Sequence, residues 1–208
     1  MSKSATTMLN VVRTGLTAWD QEQRLHGTTD LPMSPAGRSA LTEEIRQVHV
    51  ARTRVVHHPG DEAATETARL FAEHVGAKTR RLDDLADPDF GVLDGMTERV
   101  FADRFAKRHK LWLDDPLALS PPDGEDFAIA RSRIFGAIVR LTRKSRGEDV
   151  GIVLHDIGLG LLRCWLADLP SGQLWRLLRE RPHVERYALS QSVVTEMEAI
   201  AHSTAPAG

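Results

Sequence analysis

Short apolar segments of strand length alternate along this chain with segments whose apolar residues follow helical spacing. The strand-like segments include Met8–Arg13, Thr53–His57 and Val150–Leu154, and a stretch with helical periodicity follows each of them. This alternation is typical of α/β proteins, in which helices cover a mostly parallel sheet. Because Val150–Leu154 is the most apolar strand, we predict that it lies at the centre of the sheet.

The remaining elements are predicted from periodicity and from the residues that begin and end helices. Pro35 suits the first position of a helix that follows Ser34, and Gly76 is a suitable stop for the next one. We predict helices at 34–48, 61–74, 97–112, 126–144 and 159–166, a peripheral strand at 78–82, and a closing hairpin of strands at 184–189 and 192–197. The proline-rich segment 114–125 is predicted to be a loop that overhangs a site.

Length, charge and cysteine content narrow the class of protein. The 208 residues suffice for one well-buried domain, so we assign 1–208 to a single domain and expect 204–208 to be frayed. A net charge of −2 gives no electrostatic reason to bind nucleic acid or an anionic membrane. There is no apolar run long enough to span a bilayer, no signal segment, and only one cysteine, Cys164. We therefore expect a cytoplasmic protein.

The first strand ends in Arg13-Thr14-Gly15, which brings a cation and a tight turn to the edge of the sheet. Such an edge is a suitable place for an anion. Other motifs follow in a fixed order: Trp19-Asp20, Arg24, Gly27, Asp87-Pro88-Asp89-Phe90-Gly91, Gly95-Met96-Thr97, Pro121-Pro122-Asp123-Gly124-Glu125, Arg133 and Val150–His155. Together they resemble the histidine phosphatase (phosphoglycerate mutase-like) superfamily over nearly the whole chain.

The resemblance implies a three-layer α/β/α fold with a mostly parallel central sheet. It also implies a site in which two arginines, two histidines and an acidic residue surround a phosphoryl group. Arg13 matches the first arginine and His155 the second histidine, while Asp87 takes the acidic position. The family uses no metal, and we expect neither metal nor cofactor here. Relatives are often dimeric, so the resemblance also allows a homodimer.

Two of the family's positions hold different residues in this chain. The family's first motif is Arg-His-Gly, and Thr14 stands where that motif has its nucleophilic histidine. The second arginine should follow the second strand, but no arginine occurs between Arg54 and Arg69. A threonine hydroxyl is a poor nucleophile without an adjacent base, and each lost donor weakens binding of the transferring group. These changes disfavour phosphoenzyme chemistry.

The pocket also gains reactive and acidic side chains. Relative to the family it contains up to three additional carboxylates and two histidines, from Asp20, His57, His58, Asp61 or Glu62, and Asp156. Only one of the adjacent histidines should face the pocket, because successive residues of a strand point to opposite sides. That histidine, with His155, Asp87 and Asp156, has suitable side chains for Zn²⁺, although no metal-spacing motif supports a zinc site.

We predict that His155 and Asp87 are catalytic acid–base residues. Alternatively, His155 is a hydrogen-bonded core residue and Asp87 caps a loop. Arg13 either binds the ligand or forms a structural salt bridge with one of the new carboxylates. The predicted ligand-binding residues are Arg13, Thr14, Asp20, His57, His58, Glu62 and Asp156.

Three functions fit these residues. The first is a repurposed enzyme that uses acid–base chemistry on an anionic or polar small molecule, and it is favoured because the replacing residues are chemically capable rather than inert. The second is a pseudophosphatase without turnover that acts as a binding or regulatory subunit. The third is residual phosphatase or mutase activity. The sequence does not identify the substrate.

Overall fold

A five-stranded sheet forms the centre of the computed structural model, which describes residues 6–50, 53–145, 148–179 and 183–203. The strands are β1 (Thr7–Arg13), β2 (Thr53–His58), β3 (Lys78–Arg81), β4 (Asp149–Leu154) and β5 (Val184–Leu189). Their order is β3-β2-β4-β1-β5, and only β5, which pairs with β1, is antiparallel to its neighbour. The predicted α/β class and the central position of β4 are confirmed.

The α-helices of the described residues follow the strands along the chain. They are α1 (Ala18–Gln21), α2 (Pro35–Gln47), α3 (Glu62–Val75), α4 (Glu98–Arg104), α5 (Ala106–Asp114), α6 (Phe127–Lys144), α7 (Asp156–Leu166), α8 (Leu174–Arg179) and α9 (Gln191–Ser203). Short 3₁₀ turns occur at Asp83–Leu85, Gly91–Leu93, Pro116–Ala118 and Ser171–Gln173. Among the residues that the structure describes, no helix has both the length and the apolar character needed to cross a bilayer.

Helices cover both faces of the sheet because successive residues of β1 and β4 point to opposite sides. Val12 and Val153 belong to a core that includes apolar residues of α2 and α3. Val11 and Ile152 belong to a second core, to which α6, α7 and α9 contribute. All four side chains are at most 1% exposed. The three-layer arrangement follows from this alternation.

The second half of the predicted closing hairpin is wrong. Segment 192–197 lies in α9, which packs against α6, where the Ser132 hydroxyl contacts the Ile200 carbonyl at 3.3 Å. Val194 and Met197 are buried three residues apart, which is the spacing of one helix face. The apolar residues of this segment therefore satisfy a helical period as well as an alternating one.

Two further boundaries differ from the prediction. The single helix expected over 97–112 is divided into α4 and α5, because Phe105 has a φ of −132° and cannot continue a helix. Helix α8 was not predicted. The edge strand β3 is exposed along its whole length, as its charged sequence indicated. The expected fraying of 204–208 concerns residues outside the described ranges.

Candidate functional site

The carboxyl ends of β2, β4 and β1 meet at one edge of the sheet, because these three strands are adjacent and parallel. Arg13 ends β1, His58 ends β2, and His155 directly follows β4. Helix α7 begins immediately after His155, so its first backbone N–H groups also lie at this edge. Ligands of parallel α/β proteins bind at such an edge.

His155 lines two cavities at this edge. The larger, called the His155 cavity, has a volume of about 310 Å³ and is enclosed by the loops 27–30 and 59–61 and by residues of segment 81–87. The smaller, called the Thr14 cavity, has a volume of about 30 Å³ and lies over residues 14–17. That smaller volume suits a water molecule or two, whereas the larger one approaches the size of small-molecule sites.

His155 forms a charged pair with Asp61. The distance from His155 Nε2 to Asp61 Oδ2 is 3.0 Å, and the two side chains are 11% and 17% exposed. Burial acts to lower the pKa of His155, but the hydrogen bond to Asp61 and the charges of Asp61, Asp87 and Asp156 raise it to about 9. Burial acts to raise the pKa of Asp61, and the His155 contact lowers it to about 2. An imidazolium–carboxylate pair therefore forms one wall of the His155 cavity at neutral pH.

Asp87 occupies the amino end of α7. Its two carboxylate oxygens accept hydrogen bonds from the backbone N–H groups of Ile157 at 2.9 Å and Gly158 at 2.7 Å. An anion at this place is stabilised by the helix dipole. Burial raises the pKa of Asp87, against the opposing effects of the His155 charge and of these two hydrogen bonds. The anion-binding end of α7 is thus already filled by the protein's own carboxylate.

Arg133 holds the segment that carries Asp87. The guanidinium donates to both Glu125 oxygens, at 3.0 and 2.5 Å, and to the carbonyls of Asp84 and Ala86. These contacts join α6, the turn before α6 and the chain just before Asp87. The Pro-Pro-Asp-Gly-Glu motif and the arginine that follows it therefore support the site rather than enter it.

Arg13 is joined to Asp156 by a bidentate ion pair. Arg13 Nε donates to Asp156 Oδ1 at 2.6 Å and Nη2 donates to Oδ2 at 2.5 Å, while Nη1 donates to the Leu178 carbonyl at 3.1 Å. The Arg13 side chain is 1% exposed and that of Asp156 is 39% exposed. The sequence allowed Arg13 either to bind the ligand or to form a salt bridge with a carboxylate. The structure shows the salt bridge.

Thr14 and Asp20 line the Thr14 cavity and are hydrogen-bonded to the nearby backbone. The Thr14 hydroxyl donates to the Leu154 carbonyl at 3.2 Å. Asp20 Oδ2 accepts from the backbone N–H of Thr17 at 2.6 Å and from its hydroxyl at 2.8 Å, which caps α1. Both residues therefore lie at this edge of the sheet, with local hydrogen bonds that fix their side chains.

His57, His58 and Glu62 are not brought into the site, contrary to the prediction. None of the three lines either cavity at this edge. His58 is buried, with Nδ1 2.6 Å from the Pro59 carbonyl. Burial and the charges of Arg80 and His58 lower the pKa of His57 to about 4. Within the described ranges, no three His, Cys, Asp or Glu residues are grouped to hold a metal ion.

The structure adds residues that the sequence did not single out. Asp30 and Asp83 line the His155 cavity with Asp61 and Asp87. His26 lines the Thr14 cavity, and its ring meets that of His155 edge to face with centroids 5.7 Å apart. Sequence periodicity carried no signal for Asp30 or His26, because both lie in the irregular loop between α1 and α2.

Carboxylates outnumber cations around the His155 cavity. The negatively charged groups of its described lining are four aspartates. The positively charged groups are Arg81 and protonated His155. Arg81 is itself paired with Asp83 through a hydrogen bond of 2.6 Å from Nε to Oδ1. The cavity therefore carries a net negative charge and attracts a positively charged group.

Comparison with known proteins identifies the family. Residues 9–191 match the histidine phosphatase superfamily (branch 1). The bifunctional protein Rv2228c of Mycobacterium tuberculosis is 27% identical over 184 residues, which are 85% of this chain and 48% of that protein. The chain thus spans about half the length of such mycobacterial relatives. The probable phosphoglycerate mutase GpmB of Cronobacter sakazakii is 27% identical over 211 residues, and the match covers 95% of both chains.

Solved structures share the fold. YhfR of Bacillus stearothermophilus has a TM-score of 0.77 at 21% identity, over 92% of this chain and 100% of that one. The mycobacterial glucosyl-3-phosphoglycerate phosphatase Rv2419c, in a complex with VO3, has a TM-score of 0.68 at 20% identity, over 81% of this chain and 84% of that one. The family match covers most of the chain, and the sheet and its helices have the fold of these structures. The chain belongs to branch 1 of the histidine phosphatase superfamily.

Proposed function

We propose that this chain does not use phosphohistidine chemistry, and that its His155 cavity takes a small molecule carrying an amine or another cationic group. The Asp61–His155 pair is the acid–base group that acts on this molecule. One observation supports the proposal most directly: three aspartates lie around His155. They neutralise the two cations and the amino end of α7, which would otherwise attract an anion.

Each anion-binding feature of the edge already has an internal partner. Asp156 holds Arg13, Asp61 holds His155, and Asp87 accepts from the first N–H groups of α7. A phosphate would have to displace one of these carboxylates or lie beside it. Two negative charges about 4 Å apart repel by several kcal/mol at the effective dielectric of a protein site. These contacts support a site that rejects phosphate, although relatives bear the names of phosphatases and mutases.

The net negative charge of the His155 cavity also changes the class of ligand that we expect. The sequence favoured an anionic or polar molecule because Arg13 was the obvious cation at the strand edge. Arg13 is instead paired with Asp156, and aspartates form much of the wall of the His155 cavity. An ammonium or guanidinium group gains hydrogen bonds and charge attraction from such a wall.

The proposed chemistry follows from the protonation states. With a pKa of about 9, His155 is protonated at neutral pH and can donate a proton to a developing anion on the substrate. Asp61 keeps the imidazole ring in place and stabilises its positive charge. Asp87 is assigned a positioning role, because both of its oxygens are engaged by the amino end of α7. This assignment replaces the catalytic role expected for Asp87 from the sequence.

A binding or regulatory protein without turnover is the second candidate. It is favoured by the small volume of the Thr14 cavity, about 30 Å³, and by the internal pairing of Arg13. Both candidates predict ligand binding in the His155 cavity, and only the first predicts conversion of the ligand. Product formation from a bound amine, measured by NMR, separates them.

A panel of small amines tests the cationic preference. We expect primary amines and guanidines to bind at least ten-fold more tightly than their neutral N-acetylated counterparts, measured by ligand-observed NMR. Asp61→Asn should weaken amine binding, since it removes a carboxylate from the cavity wall. Asp103→Asn is the matched control, because Asp103 is 68% exposed and does not line the cavity. Binding of inorganic phosphate in preference to amines would contradict the proposal.

A further inference from the structure

A third cavity borders the Arg13–Asp156 pair. It has a volume of about 410 Å³ and is lined by Trp112 and Leu113 of α5 and by Trp175, Leu178 and Arg179 at α8, together with Arg13. We call it the Trp cleft. Asp156 belongs to the walls of both the Trp cleft and the Thr14 cavity, whereas His155 does not line the Trp cleft. The cleft is therefore distinct from the His155 cavity, and its volume lies within the range of small-molecule sites.

The apolar wall of the Trp cleft is rigidly held. The rings of Trp112 and Trp175 have centroids 4.1 Å apart and are tilted by 37°. Trp175 Nε1 donates a hydrogen bond of 2.7 Å to the Trp112 carbonyl, which fixes the orientation of the second indole. Leu113 leaves 43% of its surface in contact with solvent at the same cleft. A flat apolar molecule would cover this surface without requiring the wall to reorganise.

Arg179 offers hydrogen-bond donors to a ligand in the Trp cleft. Arg13 is 1% exposed and each of its three guanidinium nitrogens already donates a hydrogen bond within the protein, so Arg13 lines the cleft without offering a donor to a ligand. Arg179 is exposed at the end of α8 and has no carboxylate within 4.0 Å among the residues described. Of the two acidic side chains in the described lining, Asp156 is paired with Arg13, and Glu98 is 56% exposed, with Oε1 3.3 Å from His109 Nε2.

We propose that the Trp cleft is a second ligand site, and that it binds a carboxylate attached to a flat apolar body. The apolar body lies against Trp175 and Leu113, and the carboxylate accepts hydrogen bonds from Arg179. A guanidinium suits a carboxylate because its planar fork can donate two parallel hydrogen bonds. This site does not depend on the cationic ligand proposed for the His155 cavity.

Phenylpropionate and its neutral amide are the probes that test the Trp cleft. We expect phenylpropionate to bind the full chain at least five-fold more tightly than the amide, measured by ligand-observed NMR. Intermolecular NOEs should connect its phenyl protons with the indole of Trp175. Arg179→Ala should weaken phenylpropionate binding at least five-fold. Arg176→Ala is the control on the same helix, because Arg176 is bonded to Gln173 and does not line the cleft.

Three results would overturn the proposal. One is the absence of phenylpropionate binding at millimolar concentration. Another is binding that Arg179→Ala and Arg176→Ala weaken equally. The third is a set of NOEs to His26 or Trp19, which would locate the probe beside His155 instead. Far-UV circular dichroism of both variants establishes that they are folded before binding is compared.

Discussion

Replacing Asp156 with alanine is expected to lower the free energy of unfolding by about 3 kcal/mol, because it leaves the buried Arg13 guanidinium without its carboxylate. Arg13 is 1% exposed, so water has little access to the Nε and Nη2 groups that Asp156 now satisfies. Asp156 is 39% exposed, so some water can reach the space that its carboxylate leaves. We therefore expect a loss of stability at the lower end of the range for a broken buried ion pair. Urea-induced unfolding measures the loss.

Two controls separate the buried pair from a generic loss of charge. Glu43→Ala removes an exposed pair with Arg46, whose side chain is 70% exposed, and should cost less than about 0.5 kcal/mol. The double change Arg13→Met with Asp156→Leu should be more stable than either single variant, because no buried charge is left alone. An Asp156→Ala variant as stable as Glu43→Ala would show that the ion pair does not hold this edge of the sheet.

Folding stability is also expected to fall by on the order of 3 kcal/mol as the pH rises from about 6.5 to about 9. The folded chain raises the pKa of His155 above its ordinary value, so the folded state binds the proton more tightly than the unfolded state does. The resulting stabilisation is complete below about pH 6.5 and is lost as the pH passes through about 9. On the acid side, the lowered pKa of Asp61 gives stability that is present above pH 3.8 and lost as the pH falls towards 2.

Unfolding by urea across this pH range measures the effect. His155→Gln and Asp61→Asn should both remove most of the decline at alkaline pH, because each breaks the charged pair. His202→Gln is the control, since His202 is exposed near the end of α9. A wild-type chain whose stability is flat over this range, or a decline that survives in both pair variants, would show that His155 is not held as an imidazolium.

The sequence was sufficient to locate the five strands of the sheet, although it also predicted a strand at 192–197 that is part of α9. Strand periodicity located β1 and β4, and the carboxyl ends of parallel neighbours meet at one edge whatever the side chains do. Arg13 was identified at such a strand end, whereas His155 was assigned from the resemblance of its segment to the family. The partner of Arg13 was harder to predict, because Asp156 is 143 residues away and several other acids were candidates. Only the packing of α7 against the end of β1 selects it.

The failure at His57, His58 and Glu62 has a local cause. Asp61 is the N-cap of α3, with Oδ1 accepting from the Ala64 N–H at 2.9 Å and Oδ2 bonded to His155. The position at which α3 begins decides whether Asp61 or Glu62 turns towards the strand edge, and sequence patterns do not fix a helix start to one residue. His58 contacts the Pro59 carbonyl in the β2–α3 turn. Sequence periodicity does not predict such a contact, because the turn is irregular.

Whether phosphatase activity persists in this chain is decided by the release of nitrophenolate from p-nitrophenyl phosphate. We expect the wild-type protein and a Thr14→His variant to remain at the rate of the buffer alone, because Asp156 still occupies Arg13 and Asp61 still occupies His155 in both. Turnover by the wild-type protein above that background, if it is abolished by Arg13→Ala in a variant that remains folded, would contradict this expectation. It would show that the chain is a phosphatase.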